Sequence, residues 1–446
     1  MHVLLIHQAY AGPRDPGGTR HHELATYLAS RGHRTTIVAS EVSYLTGTAV
    51  AAGDTEETPG VRVIRIPGSD LHRSFLARGT AFAQFGARAL QAALSIPDVD
   101  VVWGTTPPLP QLAPAWLASL RAKGGLVVEE RDLWPEFAIG MGVLKPGVVT
   151  DTALAFKRWI YRRARRVIVN SPGFLPFLRS YGVDEHKVHV VPNGVDPAPF
   201  DPAERGLEQR EAWDADDRFV VLYAGALGPA NALEVVLDAA EALRGTRALF
   251  VLVGDGKARS DLERAASERG LDNVRFVPAV PKDRVPGVLA AADACLACLR
   301  DIPLFRTTYP NKVFDYMAAG RPVLLQIDGV IRQVVEEARA GLFVAPGDAP
   351  ALAAAVRQMM EHPDAAREMG RRGRTAVCER FDRRLQGEQI EALFAELVPA
   401  PPRGASSRPG QATKGTSAAP PARRPSARPP VLPGRAPAAE RPGGAA

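Results

Sequence analysis

The chain has 446 residues, 46% of them apolar and 23% charged, which is long and balanced enough for two core-bearing domains. Its net charge of +6 comes from residues 399–446, where eight Lys and Arg face one Glu, so the rest is close to neutral and no nucleic-acid partner is expected. Of the three cysteines, Cys295 and Cys298 form a lone CxxC in the apolar run ADACLACL, which argues against zinc or a redox dithiol. Few cysteines, no apolar run near about 18 residues, and an N-terminal apolar stretch too short for a signal peptide point to a cytoplasmic protein.

In chain order, Val3 to Ile6 reads as a fully apolar strand, His7 to Gly18 as a loop, Thr19 to Arg31 as a helix, and Thr35–Ala39 as the next strand. Strands follow at Val61–Ile66, Val99–Trp103, Leu126–Glu129, Val167–Asn170 and Val188–Val191. Strands apolar on both faces that alternate with helices predict a parallel sheet covered on both sides. The pattern breaks near Asn193 into a proline-rich linker, residues 193–218, and restarts at Phe219. Strands at Phe219–Ala224, Leu249–Val253, Val274–Val277, Ala294–Leu299, Val323–Gln326 and Leu342–Val344 then give a second sheet, residues 219–380. Helices continue to Val398. Two doubly wound Rossmann-like domains in tandem are predicted, with a ligand cleft between the carboxyl ends of their strands.

Residues 399–446 hold twelve prolines, no aromatics, and only Val431 and Leu432 as large apolar side chains, so the tail reads as disordered. A chain ending at Val398 is accordingly expected to keep its melting temperature and its turnover on a soluble acceptor. Loss of either would show that the tail docks.

The stretch Leu304 to Val323 carries the strongest sign of chemistry. Pro310 suits a helix start; Val313, Phe314, Met317 and Ala318 recur at helical spacing; Gly320 ends the run. Asn311 and Lys312 fall in the first turn and Asp315 follows. A helix N-terminus with a lysine makes an anion site, and a nearby carboxylate can accept both hydroxyls of a ribose. These residues alone fit an ordinary amphipathic helix equally well. Gly17 and Gly18, after the first strand, allow close backbone approach to a phosphate or sugar, and Gly225 and Gly254 follow strands in the second domain. His21 and His22 read as surface residues. Asp98-Val99-Asp100 has a D-x-D form but sits at a strand entry, and no cluster has metal-ligand spacing, so a metal-independent site without a cofactor is expected.

GGTRHHELATYLASRGH (17–33), ERDLWPE (130–136), VVPNGVD (190–196), VLYAGALG (221–228), LVGDG (252–256) and YPNKVFDYMAAGRPV (309–323) together resemble the bacterial retaining glycosyltransferases of family 4, with the GT-B fold. The resemblance runs from Met1 to about Val398 and is closest to the subgroup adding N-acetylated amino sugars in O-antigen or capsule assembly. It implies sugar transfer from a nucleoside-diphosphate sugar, with the donor mainly on the second domain and a polyprenyl-linked or glycan acceptor mainly on the first. It also implies that the helix after residue 381 returns to brace the first domain. Three departures stand out. The family's Glu-x7-Glu pair falls on Thr307 and Asp315. Its diphosphate-gripping Arg and Lys are absent, with Ala226 and Asn231 near their places. Its His beside the reacting sugar is replaced by Arg131-Asp132, which become the candidate catalytic pair. Residues 71–94 and KRWIYRRARR (157–166) mix aromatic and basic residues and suggest peripheral membrane contact. A sugar-nucleotide epimerase and a non-catalytic nucleotide-sugar binder are the alternatives.

Overall fold

The computed structural model describes residues 1–12, 15, 17–43, 49–50, 53–68 and 75–398, so the tail and residues 71–74 of the first aromatic–basic segment lie outside the described residues. The first sheet contains β1 (His2–Ile6), β2 (Arg34–Ser40), β3 (Gly53–Thr58), β4 (Val61–Ile66), β5 (Val101–Thr106), β6 (Leu126–Glu130), β7 (Arg166–Val169) and β8 (Val188–Val190). Their order is β3-β4-β2-β1-β5-β6-β7-β8. All pairs are parallel except β3 with β4. The sequence pattern misses β3 because its residues, GDTEET, are polar and exposed or half-buried. As an edge strand it needs no apolar face, and its charges discourage pairing with another chain.

The second sheet contains β9 (Phe219–Ala224), β10 (Ala248–Val253), β11 (Val274–Val277), β12 (Ala294–Cys298), β13 (Val323–Gln326) and β14 (Gly341–Phe343), in the order β11-β10-β9-β12-β13-β14 and all parallel. Strands buried on both faces explain the unbroken apolar runs. On β12, Cys295 joins the core on one face of the sheet and Cys298 the core on the other. In each sheet the chain order reverses beside the first strand, at β1/β5 and at β9/β12. A reversal opens a crevice at the carboxyl ends of the strands, because the two connecting segments leave in opposite directions.

The two sheets are tied at several points. Ser171 Oγ donates to the Thr307 carbonyl at 2.5 Å, and Asn193 Nδ2 donates to the Tyr309 carbonyl at 2.7 Å. Phe137 packs edge-on against Phe305, with ring centroids 5.6 Å apart. Near the crossover, Val195 and the stretch entering the last helix exchange backbone bonds: Val195 N–H to Phe381 O at 3.1 Å and Arg383 N–H to Val195 O at 2.9 Å. That helix, Arg383–Leu397, is capped by Asp382 and buries Ile390, Leu393 and Phe394 against the first sheet beside Val3, Leu5 and Trp103.

Candidate active site

The helix Asn311–Ala318 forms because Val313, Phe314, Tyr316, Met317 and Ala318 all enter the second domain's core, while Pro310 caps it at φ −65°. This leaves Lys312 and Asp315 on its remaining face. Lys312 Nζ lies 2.6 Å from the Tyr223 hydroxyl, 3.4 Å from Asn231 Oδ1, and 3.9 Å from the centre of the Tyr223 ring. Among the described residues no carboxylate pairs with it. Burial pushes its ammonium down to about 8. Asn231, near the place where the family carries a basic residue, thus holds the oxygen that steers a lysine arriving from another element.

Gly225 has φ 148°, and a Cβ there would lie 3.0 Å from Lys312 Nζ, so glycine makes room for the ammonium. The Gly225 N–H is already bonded to Val253 O and the Gly254 N–H to Val277 O, so neither extends toward a ligand as a free donor. At Gly254 a Cβ would fall 1.9 Å from Gly225 O. Its part is to let the Gly225 loop lie flat on it. Across the cleft, a Cβ on Gly18 would lie 3.6 Å from Asn311 Nδ2, which brings the first-domain glycine loop onto the start of the lysine helix. Gly17 adopts φ 133°. Asn311 Oδ1 is buried and unpaired, a group that calls for a donor.

Asp315 accepts two 2.8 Å bonds from Lys282 Nζ, a residue that no periodicity had singled out. Burial raises its carboxyl, with Lys282 working against that. A ribose diol at Asp315 would have to share the carboxylate with Lys282 or displace it. Nearby, Arg383 Nε lies 2.5 Å from Glu23 of the first domain, and Thr19 also donates to Glu23. Burial works to raise the Glu23 carboxyl, but Arg383 outweighs it and holds it down to about 2. Thr307, on the first position of the family's acidic pair, accepts at its carbonyl from Ser171 Oγ and donates its hydroxyl to Leu304 O.

A diphosphate beside Lys312 would raise its proton affinity above the unliganded value near 8. Binding of a nucleoside diphosphate is therefore expected to take up roughly half a proton or more at about pH 8.5, and affinity should fall as pH rises beyond 8. Calorimetry in buffers of different ionisation enthalpy measures that uptake directly, and a value of zero would remove Lys312 from the phosphate site.

On the facing side, β6 ends in Glu129-Glu130 and leads into Arg131-Asp132. Glu129 is fully buried and accepts Arg20 Nε at 2.8 Å, with His21 Nε2 at 2.7 Å from its other oxygen. Burial would raise its carboxyl, but Arg20 and then His21 overcome this and hold it well below the usual range. The expectation that His21 and His22 are surface residues is therefore corrected. His21 is buried on Glu129 and Trp103, and His22 is half-buried with Glu57 at 3.1 Å. Arg20 and His21 turn inward because the buried Glu129 carboxylate satisfies both, whereas His22 reaches Tyr10 and Glu57 at the edge of the sheet. His7, at the end of β1, is buried with both ring nitrogens unpaired, and burial lowers its pKa well below 6.5.

Arg131 turns toward the end of β5, giving Nε to Thr105 Oγ1 at 2.8 Å and Nη2 to Pro107 O at 2.7 Å. Asp132 follows the carboxyl end of β6 and is exposed, yet the surrounding protein desolvates its carboxyl enough to push it up to about 6 against the pull of Arg131. Its carboxylate makes no hydrogen bond or ion pair within the described residues. Asp98, φ 55°, forms a strand-entry turn, and Asp100 accepts the His2 N–H at 2.8 Å.

Residues 17–194 match the family described as "Glycosyl transferase 4-like domain" and residues 218–362 match "Glycosyl transferases group 1". The chain belongs to the GT-B glycosyltransferases. It is 26% identical to the alpha-D-kanosaminyltransferase of Streptomyces kanamyceticus over 44% of this chain and 50% of that protein. It is 27% identical to the putative colanic acid biosynthesis glycosyl transferase WcaI of Escherichia coli over 55% of this chain and 63% of that protein. The chain thus spans between half and two-thirds of the length of these relatives. The structure of Anabaena Alr3699/HepE in complex with UDP-glucose superposes with a TM-score of 0.68 at 19% identity, covering 89% of this chain and all of that one, which shows the shared fold.

Proposed function

We propose that this glycosyltransferase moves a hexose or N-acetylated amino sugar, with retention, from a nucleoside-diphosphate sugar to a lipid-linked or glycan acceptor in cell-surface polysaccharide biosynthesis. The observation that carries the reading is Lys312: a half-buried ammonium without a carboxylate partner among the described residues, held by Tyr223 and Asn231 in the crevice beside β9. A charge so placed favours an anion, and in this reading it compensates the diphosphate in place of a metal. The similarity to HepE, solved with UDP-glucose, supports the donor class, that to WcaI the polysaccharide setting, and that to the kanosaminyltransferase an amino sugar, though not its N-acetylation. In the reaction, the leaving phosphate takes the acceptor proton, while Asp132 stabilises positive charge on the sugar ring or orients the acceptor hydroxyl. Arg131, anchored on Thr105 and Pro107, adds positive charge on the same loop.

Acceptor chemistry is suggested by the first domain's outer face. The helices Phe75–Ser95 and Leu112–Ser119 enclose an apolar groove of about 470 Å³ lined by Phe82, Gly86, Leu90, Pro110 and Leu117, among others. Leu120 beside it is 67% exposed. The first helix follows β4 and the turn Leu109–Gln111 follows β5, so the groove starts at the carboxyl ends of the strands, on the cleft side. A polyprenyl chain would fit such a path, with the protein resting on the membrane surface in the cytoplasm. No helix among the described residues is long and apolar enough to cross a membrane. The segment 157–166 supports such contact less than its sequence suggested. Lys157, Ile160 and Tyr161 face inward, because Lys157 meets a buried Glu130, and Arg158, Arg162, Arg163 and Arg165 are left outside.

A thermal-shift screen of nucleotide-sugars identifies the donor, since a ligand at about 100 times its dissociation constant stabilises by ~2.7 kcal/mol. Turnover is then measured with and without a polyprenyl-diphosphate sugar, with the anomeric configuration read by NMR. Acceptor-dependent turnover with retention is expected. Turnover of donor alone into an isomer would show an epimerase, and binding without turnover a scaffold.

A further inference from the structure

The helix Val148–Arg163 carries one side chain that an amphipathic surface helix does not need inside. Lys157 is completely buried, and its ammonium lies 2.7 Å from Glu130 Oε2, 3.2 Å from Glu136 Oε2 and 3.3 Å from the Trp134 carbonyl. Tyr161 donates to the same Glu130 oxygen, and Tyr181 donates to Glu136. The Tyr181 ring closes the site from one side, 5.1 Å from the ammonium. These partners are not scattered. Residue 130 stands two positions before Asp132, and residues 134 and 136 stand two and four positions after it. Between them Leu133 is fully buried while Asp132 is exposed, after the carboxyl end of β6. Just beyond, Phe137 meets Phe305 of the second domain.

We propose that Lys157 is a positioning residue that staples both arms of the 130–136 loop and thereby fixes where Asp132 stands in the cleft. A backbone loop held only by its own bonds samples several conformations. A single buried ammonium that must satisfy three oxygens on both arms removes most of them, since losing any one strands a buried charge. The loop is thus fixed from below, without contact to the reacting groups. The inference rests on the assignment of Asp132 made above for its catalytic consequence, but not for the staple itself.

Two measurements separate these. Lys157→Met alone leaves Glu130 and Glu136 facing each other and is expected to unfold or melt early, so the informative variant is Lys157→Met combined with Glu130→Gln, which removes both buried charges together. Hydrogen exchange of peptides spanning 131–139 is expected to quicken at least tenfold in that variant, with the strands of both sheets unchanged. Unchanged protection of 131–139 would overturn the staple whatever the enzyme's activity. In kinetics, kcat should fall about tenfold or more while donor KM and nucleoside-diphosphate affinity stay within a few-fold. Placed on Asp132→Asn, the same pair of changes should cost little more, because the residue it positions is already disabled. A full further loss on Asp132→Asn, or normal kcat with a loosened loop, would refute positioning of Asp132. A parent protein without turnover on any donor would instead count against the proposed reaction, leaving the exchange result to decide the staple.

Discussion

Replacing Asp132 with asparagine is expected to lower turnover at least a hundredfold while donor affinity stays within a few-fold. That factor corresponds to roughly 2.7 kcal/mol of transition-state stabilisation. Asparagine nearly matches the shape of the carboxylate and removes only its charge. The structure makes this a clean substitution, because Asp132 has no ion pair or hydrogen bond among the described residues that the change would break. The alternative reading, an Arg–Asp pair pinning the loop, predicts early melting instead. It is weakened by the bonds of Arg131 to Thr105 and Pro107. Because desolvation raises the Asp132 carboxyl to about 6, the ionised form required for charge stabilisation is lost as pH falls through that value. The kcat profile of the parent should show an acid limb near 6 that is absent in the asparagine variant. Near-normal turnover of that variant would refute the catalytic role.

Lys312→Ala is expected to weaken nucleoside-diphosphate and donor binding alike, by about tenfold or more if the charge-assisted bond is worth over ~1.4 kcal/mol. The helix N-terminus behind it contributes only about 0.3–1 kcal/mol toward a charge. The second domain shows no substitute at the family's usual positions, which hold Ala226 and Asn231, and the neighbouring Lys282 is engaged with Asp315. The loss should appear equally with the free nucleoside diphosphate, since the lysine touches the part both ligands share. Unchanged affinity by calorimetry would sink the assignment. A melting temperature near the parent's is expected, because the ammonium's partners, Tyr223 and Asn231, both keep a bond to the Ala226 carbonyl.

Some of this site was legible in the chain and some was not. The helix Asn311–Ala318 was readable because burial of Val313, Phe314 and Met317 imposes a 3.6-residue period whatever surrounds it, and Lys312 is left on the uncovered face. In the sequence Gly18 and Gly225 read as glycines facing a ligand; the structure shows Gly18 beside Asn311 and Gly225 making room for the Lys312 ammonium. Gly254 looked like a ligand-facing glycine and turned out to support the Gly225 loop.

The sequence by itself determined the two parallel α/β sheets, the crossover near Asn193, the buried cysteines of β12 and the lysine helix. Each of these follows from short-range regularities: apolar runs, helical spacing, and glycine or proline at turns. Only the tertiary structure decided which charges meet. Arg20 with Glu129, Lys282 with Asp315, Lys157 with Glu130 and Glu23 with Arg383 are separated by 27 to 360 residues in the chain. A charged side chain carries no local mark of its partner. An edge strand such as β3 is equally silent, since it has no face to bury. The physical reason is the same in both cases. Periodicity records that a face is removed from water, whereas an ion pair is made only when topology brings two distant segments to one place and burial makes leaving either charge alone too costly.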